Sequence, residues 1–176
     1  MDRPAAEPRR VERADPGRSG SLTQAQISLR LTARALRIEV TPLAAWVLEA
    51  AAPDTRERLQ SIAETHGIEL ARRTGVSDPV LFLVSLSSRS QGTPFRPDDL
   101  HMLSRGLRER PLAIRPITPG WGTGRLSVQA SEIAVYAYGS NLDLTRELTV
   151  AYQGVEDSSW SRKVVAIEAE RGRIGR

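Results

Sequence analysis

The chain has 176 residues, of which 40% are hydrophobic, 26% charged and 5% aromatic, and this composition is typical of a globular domain. Its 25 basic residues outnumber the 21 acidic ones, and the net charge of +4 permits an anionic partner without requiring one. Because the sequence contains no cysteine, it excludes disulfides, thiolate metal sites, iron–sulfur clusters and cysteine nucleophiles.

No apolar run reaches the length of about 18 residues that a membrane-spanning helix needs. Residues 1–25 also lack the hydrophobic segment that is typical of a secretory signal. We therefore expect either a cytoplasmic protein or the mature, periplasmic or extracellular form of an exported protein.

Residues 1–20 are rich in proline and in charges of both signs, and Met1 and Val11 are their only sizeable apolar side chains. So few apolar groups cannot offset the entropy that is lost on ordering, which predicts a disordered tail. We expect a single α+β domain over residues 21–171 and a frayed C-terminus over residues 172–176.

Apolar and polar residues alternate from Ile27 to Val40, which predicts β-structure. The apolar positions change parity between Thr32 and Ala35, so either one kinked strand or two short strands would keep the same face buried.

Two helices are predicted next. Thr41-Pro42 has the form of an N-cap followed by proline, ahead of a short buried helix over residues 43–52. Asp54 and Glu57 have the spacing of a capping box, and the apolar stripe beyond them predicts an amphipathic helix that ends near Gly75.

Residues 79–88 form the most concentrated apolar run in the chain and have the length of a buried strand. Alternation places Phe82 and Val84 on one face of this strand, and Leu81, Leu83 and Ser85 on the other. We expect it to be a central strand, with the helices covering one face and the later strands covering the other.

The remainder of the chain shows short apolar alternations separated by proline, glycine and aspartate, which predict antiparallel strands. Residues 158–171 fit a final helix or a strand, and we favour the helix. The predicted fold class is α+β, mainly an antiparallel β-sandwich with two N-terminal-half helices packed on it and a possible C-terminal helix.

A search for catalytic and metal-binding residues begins with the two histidines. His66 lies in the apolar stripe of the second predicted helix and is interpreted as a core or cap residue. His101 could join Asp98 and Asp99 around a metal ion, but strand alternation would separate Asp98 from the other two side chains and no fourth ligand is apparent.

Two further segments invite a catalytic interpretation. The serines at positions 85, 87, 88 and 90 lack the Gly-x-Ser-x-Gly pattern of an exposed nucleophile, and we interpret them as the polar side of a half-buried strand. The loop from Gly120 to Gly124 lacks the strand and the helix that flank a phosphate-binding loop, so we interpret it as a turn with Trp121 folded against the core. The sequence thus predicts no catalytic, cofactor-binding or metal-binding residue, no cofactor, and a non-enzymatic protein.

Arginines form the densest basic group outside the tail, and they are the residues predicted to bind an anion or a partner: Arg105, Arg108, Arg110 and Arg115. Guanidinium groups pair bidentately with phosphate and carboxylate, although a solvated loop is the alternative interpretation. For the tyrosines at positions 136, 138 and 152, core packing is favoured over a stacking platform for bases or sugars.

The C-terminal half resembles the β-sandwich domains of bacterial secreted proteins and lipoproteins. The resemblance begins at Phe95-Arg96-Pro97-Asp98-Asp99-Leu100, continues through Gly120, and includes the strand patterns in residues 126–130, 133–138 and 148–152. The two helices that precede residue 79 depart from that group. The resemblance implies a binding or assembly module of the bacterial cell envelope, with a protein or envelope component as its partner and residues 1–20 as a spacer. The alternative is a cytoplasmic anion- or nucleic-acid-binding protein that uses the four arginines.

Overall fold

A computed structural model describes residues 18–176, and its first half contains three strands and two helices. These elements are β1 (Leu29–Ala33), β2 (Leu36–Pro42), α1 (Ala45–Glu49), α2 (Pro53–Thr74) and β3 (Val80–Ser88). The second half contains β4 (Thr93–Pro94), β5 (Leu100–Ser104), β6 (Leu107–Glu109), β7 (Ala113–Pro116), β8 (Arg125–Leu126), β9 (Ser131–Tyr138), β10 (Thr149–Tyr152), β11 (Val155–Asp157) and α3 (Trp160–Ile174).

The strands form two main sheets and a small ribbon of β4 and β8. The larger sheet has the order β1-β2-β3-β9-β7, and the smaller sheet has the order β11-β10-β5-β6. Every pairing between these strands is antiparallel. The predicted α+β class, built mainly from antiparallel sheet, is therefore confirmed.

The parity change near Thr32 is explained by a reversal of the chain. Ala33 pairs with Leu36 across a two-residue turn, and Leu31 pairs with Ile38, so the apolar residues of both strands share one face. The two short strands that the alternation allowed are thus β1 and β2 of a hairpin.

The apolar run of residues 79–88 is the central strand of the larger sheet, with β2 on one side and β9 on the other. Phe82 and Val84 are fully buried on the inner face, which packs against the smaller sheet. On the outer face, Leu83 is buried and Leu81 lies beneath α2, where a Cβ atom on Gly67 would be 3.6 Å from the Leu81 Cδ1 atom. The expectation that helices and later strands cover opposite faces is confirmed for this half of the strand.

Buried tyrosines join the two sheets. The Tyr136 hydroxyl donates to the Pro97 carbonyl oxygen at 3.0 Å, and the Tyr138 hydroxyl donates to the Leu100 carbonyl oxygen at 2.8 Å. Burial raises the pKa of both phenols above the ordinary value of 10.0, so both remain protonated donors. The prediction of core packing for the tyrosines is confirmed.

Both predicted N-caps are wrong. Thr41 belongs to β2, where it is fully buried and its Oγ1 lies 2.7 Å from the Ser28 Oγ atom, while α1 begins later, at Ala45. Helix α2 begins at Pro53, one residue before Asp54, because proline is well tolerated at the first helical position. Gly75 does follow the last residue of α2, as predicted.

Of residues 158–171, the part from Trp160 onwards is helical rather than extended, as favoured from the sequence. Helix α3 buries Trp160 and Ile167, and it continues to Ile174, so residues 172–174 are helical where fraying was expected. The Trp160 indole N–H donates to the Leu144 carbonyl oxygen at 2.7 Å, which anchors the start of the helix in the core.

The N-terminal tail prediction falls mostly on residues 1–17, which lie outside the described residues. Gly20, however, is buried, and Leu22 bridges to Ala51. The Ser21 backbone N–H and hydroxyl both donate to one oxygen of Glu170 at 2.7 Å. Arg173 pairs with the same carboxylate at 2.7 Å. Hydrogen bonds to Glu170 therefore attach Ser21, close to the first described residue, to α3.

We predict that Gly20→Ala destabilises the protein by about 1–3 kcal/mol, because a Cβ atom there would lie 2.5 Å from the carbonyl oxygen of Ala51. Denaturant unfolding monitored by circular dichroism measures the change. The matched control is Gly172→Ala, which has open space in α3 and should stabilise the protein by about 0.5–1 kcal/mol. If Gly20→Ala leaves the stability unchanged, the close packing of Gly20 against Ala51 is contradicted, and residue 20 belongs to the predicted tail instead.

We predict that Glu170→Gln lowers the stability at neutral pH and that this deficit shrinks as the pH falls from about 5 towards 2. Hydrogen bonds from the Arg173 and Ser21 side chains lower the pKa of Glu170 from 4.5 to about 2, so its ionised form is favoured in the folded state. The stabilisation that ionised Glu170 provides is complete at pH values above the pKa of this residue in the unfolded state. It is lost as the pH falls to the pKa of this residue in the folded state. Thermal melts at several pH values measure the deficit, and a deficit that does not depend on pH would contradict the prediction.

Candidate binding surfaces

Three of the four arginines predicted to bind an anion lie on one hairpin. Arg105 occupies the two-residue turn between β5 and β6, Arg108 lies on β6, and Arg110 follows β6 directly. All three side chains are exposed. We call this surface the arginine hairpin; its strand β6 is an edge strand of the smaller sheet.

Arg115 lies elsewhere. The connection between Arg110 and Ala113 carries the chain from the smaller sheet to the larger one, and Arg115 is exposed on β7. Its guanidinium is 3.4 Å from the carboxylate of Glu69 on α2. The predicted group of four is therefore divided into three arginines on one sheet and a fourth that is paired on the other.

His101 is joined to the arginine hairpin. The Arg108 Nη1 atom donates to His101 Nδ1 at 2.9 Å, which leaves the imidazole proton on Nε2, a buried atom with no hydrogen-bond partner in residues 18–176. Burial, followed by the charges of Arg108 and Arg110, lowers the pKa of His101 below 6.5.

The other candidates do not assemble into a metal centre. Asp98 and Asp99 lie in a 3₁₀ helix ahead of β5, and Asp99 accepts a hydrogen bond from Gln153 at 3.0 Å. Within the described range, no three histidine, aspartate or glutamate side chains come together as a set that could hold a metal ion. His66 is half-buried on α2.

The glycine-rich loop has a packing role. Residues Pro119–Thr123 form a 3₁₀ helix, and Trp121 is 5% exposed. Its ring meets those of Phe95 and Tyr136 edge to face, with centroids 5.4 and 5.8 Å away. The interpretation of Trp121 as a residue folded against the core is confirmed.

A second polar surface covers the outer face of the larger sheet, beside the part that α2 covers. An open cleft of about 530 Å³ lies there, and we call it the sheet cleft. Its polar lining is Arg30, Thr32, Arg37, Glu39, Ser85, Ser87 and Ser131. Sequence reasoning missed this surface because its residues come from four strands and only the pairing register brings them together; the alternating serines of β3 were the available signal.

None of the described helices is both long and apolar enough to cross a membrane. Comparisons with protein-family models, with curated proteins and with solved structures found no match.

We predict that Arg108→Gln raises the pKa of His101, because the substitution removes the nearest positive charge, although burial keeps the value below that of a free histidine. Titration of the histidine ring protons by NMR measures the pKa. Arg115→Gln is the matched control and should leave His101 unchanged, since Arg115 pairs with Glu69 instead. Equal effects from both variants would contradict the placement of Arg108.

Proposed function

We propose that this chain is a non-enzymatic binding module that docks an extended acidic protein segment along the arginine hairpin. The observation that carries the proposal is the grouping of three exposed arginines at an edge strand, with one in the turn before β6, one on β6 and one directly after it. Exposed Leu107 lies within this basic group and exposed Leu112 follows it, with 59% and 51% of their surfaces accessible.

Two features support an acidic strand as the occupant. An edge strand presents unpaired backbone groups on its outer side, so an extended peptide can add to the sheet there. The arginines would pair with carboxylates of the peptide, and the two leucines would contact its apolar side chains. Glu109 is the only acidic residue on the hairpin, so the charge of the hairpin itself remains positive, although Asp143 from a neighbouring loop interacts electrostatically with Arg105.

The proposed place of this module is the bacterial cell envelope, as a mature form of an exported protein. This part of the proposal is supported by the resemblance of the C-terminal half to β-sandwich domains of secreted proteins and lipoproteins. Fractionation of cells of the source organism with an antibody against this chain would test it, and recovery in the cytoplasm would overturn it.

The docking proposal predicts binding of a short fluorescent peptide of alternating glutamate and valine, measured by anisotropy. The combined variant Arg105→Asn, Arg108→Gln, Arg110→Gln should weaken binding by roughly tenfold or more, because it removes the paired charges. Asparagine is chosen at position 105 because the backbone φ of 55° there is well tolerated by asparagine.

The matched control removes the same charge from other exposed positions through Arg56→Gln, Arg72→Gln and Arg89→Gln, and it should bind like the natural protein. Equal losses in both variants would contradict a site on the hairpin. Tighter binding of single-stranded DNA than of the peptide, with a steep loss on added salt, would replace the proposal with the nucleic-acid alternative.

A further inference from the structure

The sheet cleft presents a row of four polar side chains from adjacent strands. Thr32 pairs with Arg37, Arg37 pairs with Ser87, and Ser87 pairs with Ser131 across β1, β2, β3 and β9. Residues paired in antiparallel strands project on the same side, and adjacent strands lie about 4.8 Å apart. The row therefore spans roughly 14 Å, much more than a bare phosphate or sulfate ion would occupy.

A second row lies beside the first, and its charges cancel. Arg30 and Glu39 face each other on β1 and β2, and the Arg30 Nε atom is 2.8 Å from a Glu39 carboxylate oxygen. Ser85 continues this row on β3. Among the described residues that line the cleft, the one carboxylate is therefore paired with a positive charge.

Arg37 differs from Arg30 because no acidic residue lies opposite it, and because Glu39, two residues away on the same face of β2, is already paired with Arg30. The residues opposite it on both adjacent strands are Thr32 and Ser87, and it is exposed. Within residues 18–176, its side chain takes part in no hydrogen bond or ion pair. A guanidinium that is flanked by hydroxyl groups presents its donors to the cleft without a competing partner.

We propose that the sheet cleft binds a small hydroxylated anion, namely a sugar or polyol that carries a carboxylate or a phosphate. Arg37 pairs with the anionic group, and Thr32, Ser87 and Ser131 exchange hydrogen bonds with the hydroxyl groups. A volume of about 530 Å³ lies within the range of roughly 300–1,000 Å³ that is typical of small-molecule sites. The described residues that line the cleft include no aromatic side chain, so charge and hydrogen bonds rather than ring stacking supply the affinity.

The test uses four probes with the full chain: D-glucuronate, glucose 6-phosphate, neutral glucose and inorganic phosphate. Amide chemical shifts in a ¹⁵N-labelled sample report both the affinity and the residues that respond. We expect at least one charged sugar to bind about tenfold more tightly than glucose and inorganic phosphate, with shifts at Arg37, Ser87 and Ser131. Comparison of glucuronate with glucose 6-phosphate distinguishes a carboxylate ligand from a phosphate ligand.

Two variants test the assigned residues. Arg37→Ala should weaken binding of the charged sugar by about tenfold or more, and Ser87→Val should also weaken it because it replaces a hydroxyl group with a branched apolar one. Arg72→Ala on α2 removes the same charge away from the cleft and should bind normally. Circular dichroism checks that each variant is folded, which the exposure of Arg37 leads us to expect.

The proposal is overturned if no charged sugar binds at millimolar concentration, if glucose binds equally well, or if Arg37→Ala has no effect. It is also overturned if the shifts cluster on the arginine hairpin instead. Because the hairpin lies at an edge of the smaller sheet, Arg37→Ala should not alter peptide binding there, and so either proposal can fail alone.

Discussion

The pairing of β3 with β9 at the centre of the larger sheet is the constraint on which the other elements depend. On their inner faces these strands place Phe82, Tyr136 and Tyr138 in full burial, with Phe82 edge-on to Tyr138 at 5.5 Å. A buried phenol must find a hydrogen-bond acceptor, and the two hydroxyls find theirs on the backbone at Pro97 and Leu100. The second of these bonds ends on the first residue of β5 and so joins the larger sheet to the smaller one at that point.

The outer face of the same sheet is divided between a helix and solvent. Leu81 and Leu83 are apolar residues of this face; α2 packs over Leu81, and Leu83 is buried. Towards the other end of β3 the outward residues become Ser85 and Ser87, which need no apolar cover. Within a few residues, β3 thus changes from a strand that is buried on both faces to one whose outer face lines the sheet cleft.

The two proposed surfaces have different physical character. The arginine hairpin combines several like charges with an exposed leucine at an edge strand, which suits an extended acidic segment. The sheet cleft combines one unpaired guanidinium with a row of hydroxyl groups, which suits a ligand with one charge and several hydroxyls. They lie on different sheets, so one chain could hold a small molecule and a protein partner together.

Local patterns in the sequence determined the α+β class and the central strand, because side-chain periodicity and chain breakers act over a few residues. The same patterns left two alternatives at each of two places, namely one kinked strand or two short strands near Thr32, and a helix or a strand in residues 158–171 with the helix favoured. Turn glycines also carried local information: Arg105-Gly106 and Gln153-Gly154 adopt positive φ in tight hairpins, as X-Gly turns commonly do. Tertiary structure alone decided that Arg115 separates from Arg105, Arg108 and Arg110 and that Arg37 joins Ser87 and Ser131. These groupings depend on strand order and register, which are set by burial across the whole sheet and not by neighbours in the chain.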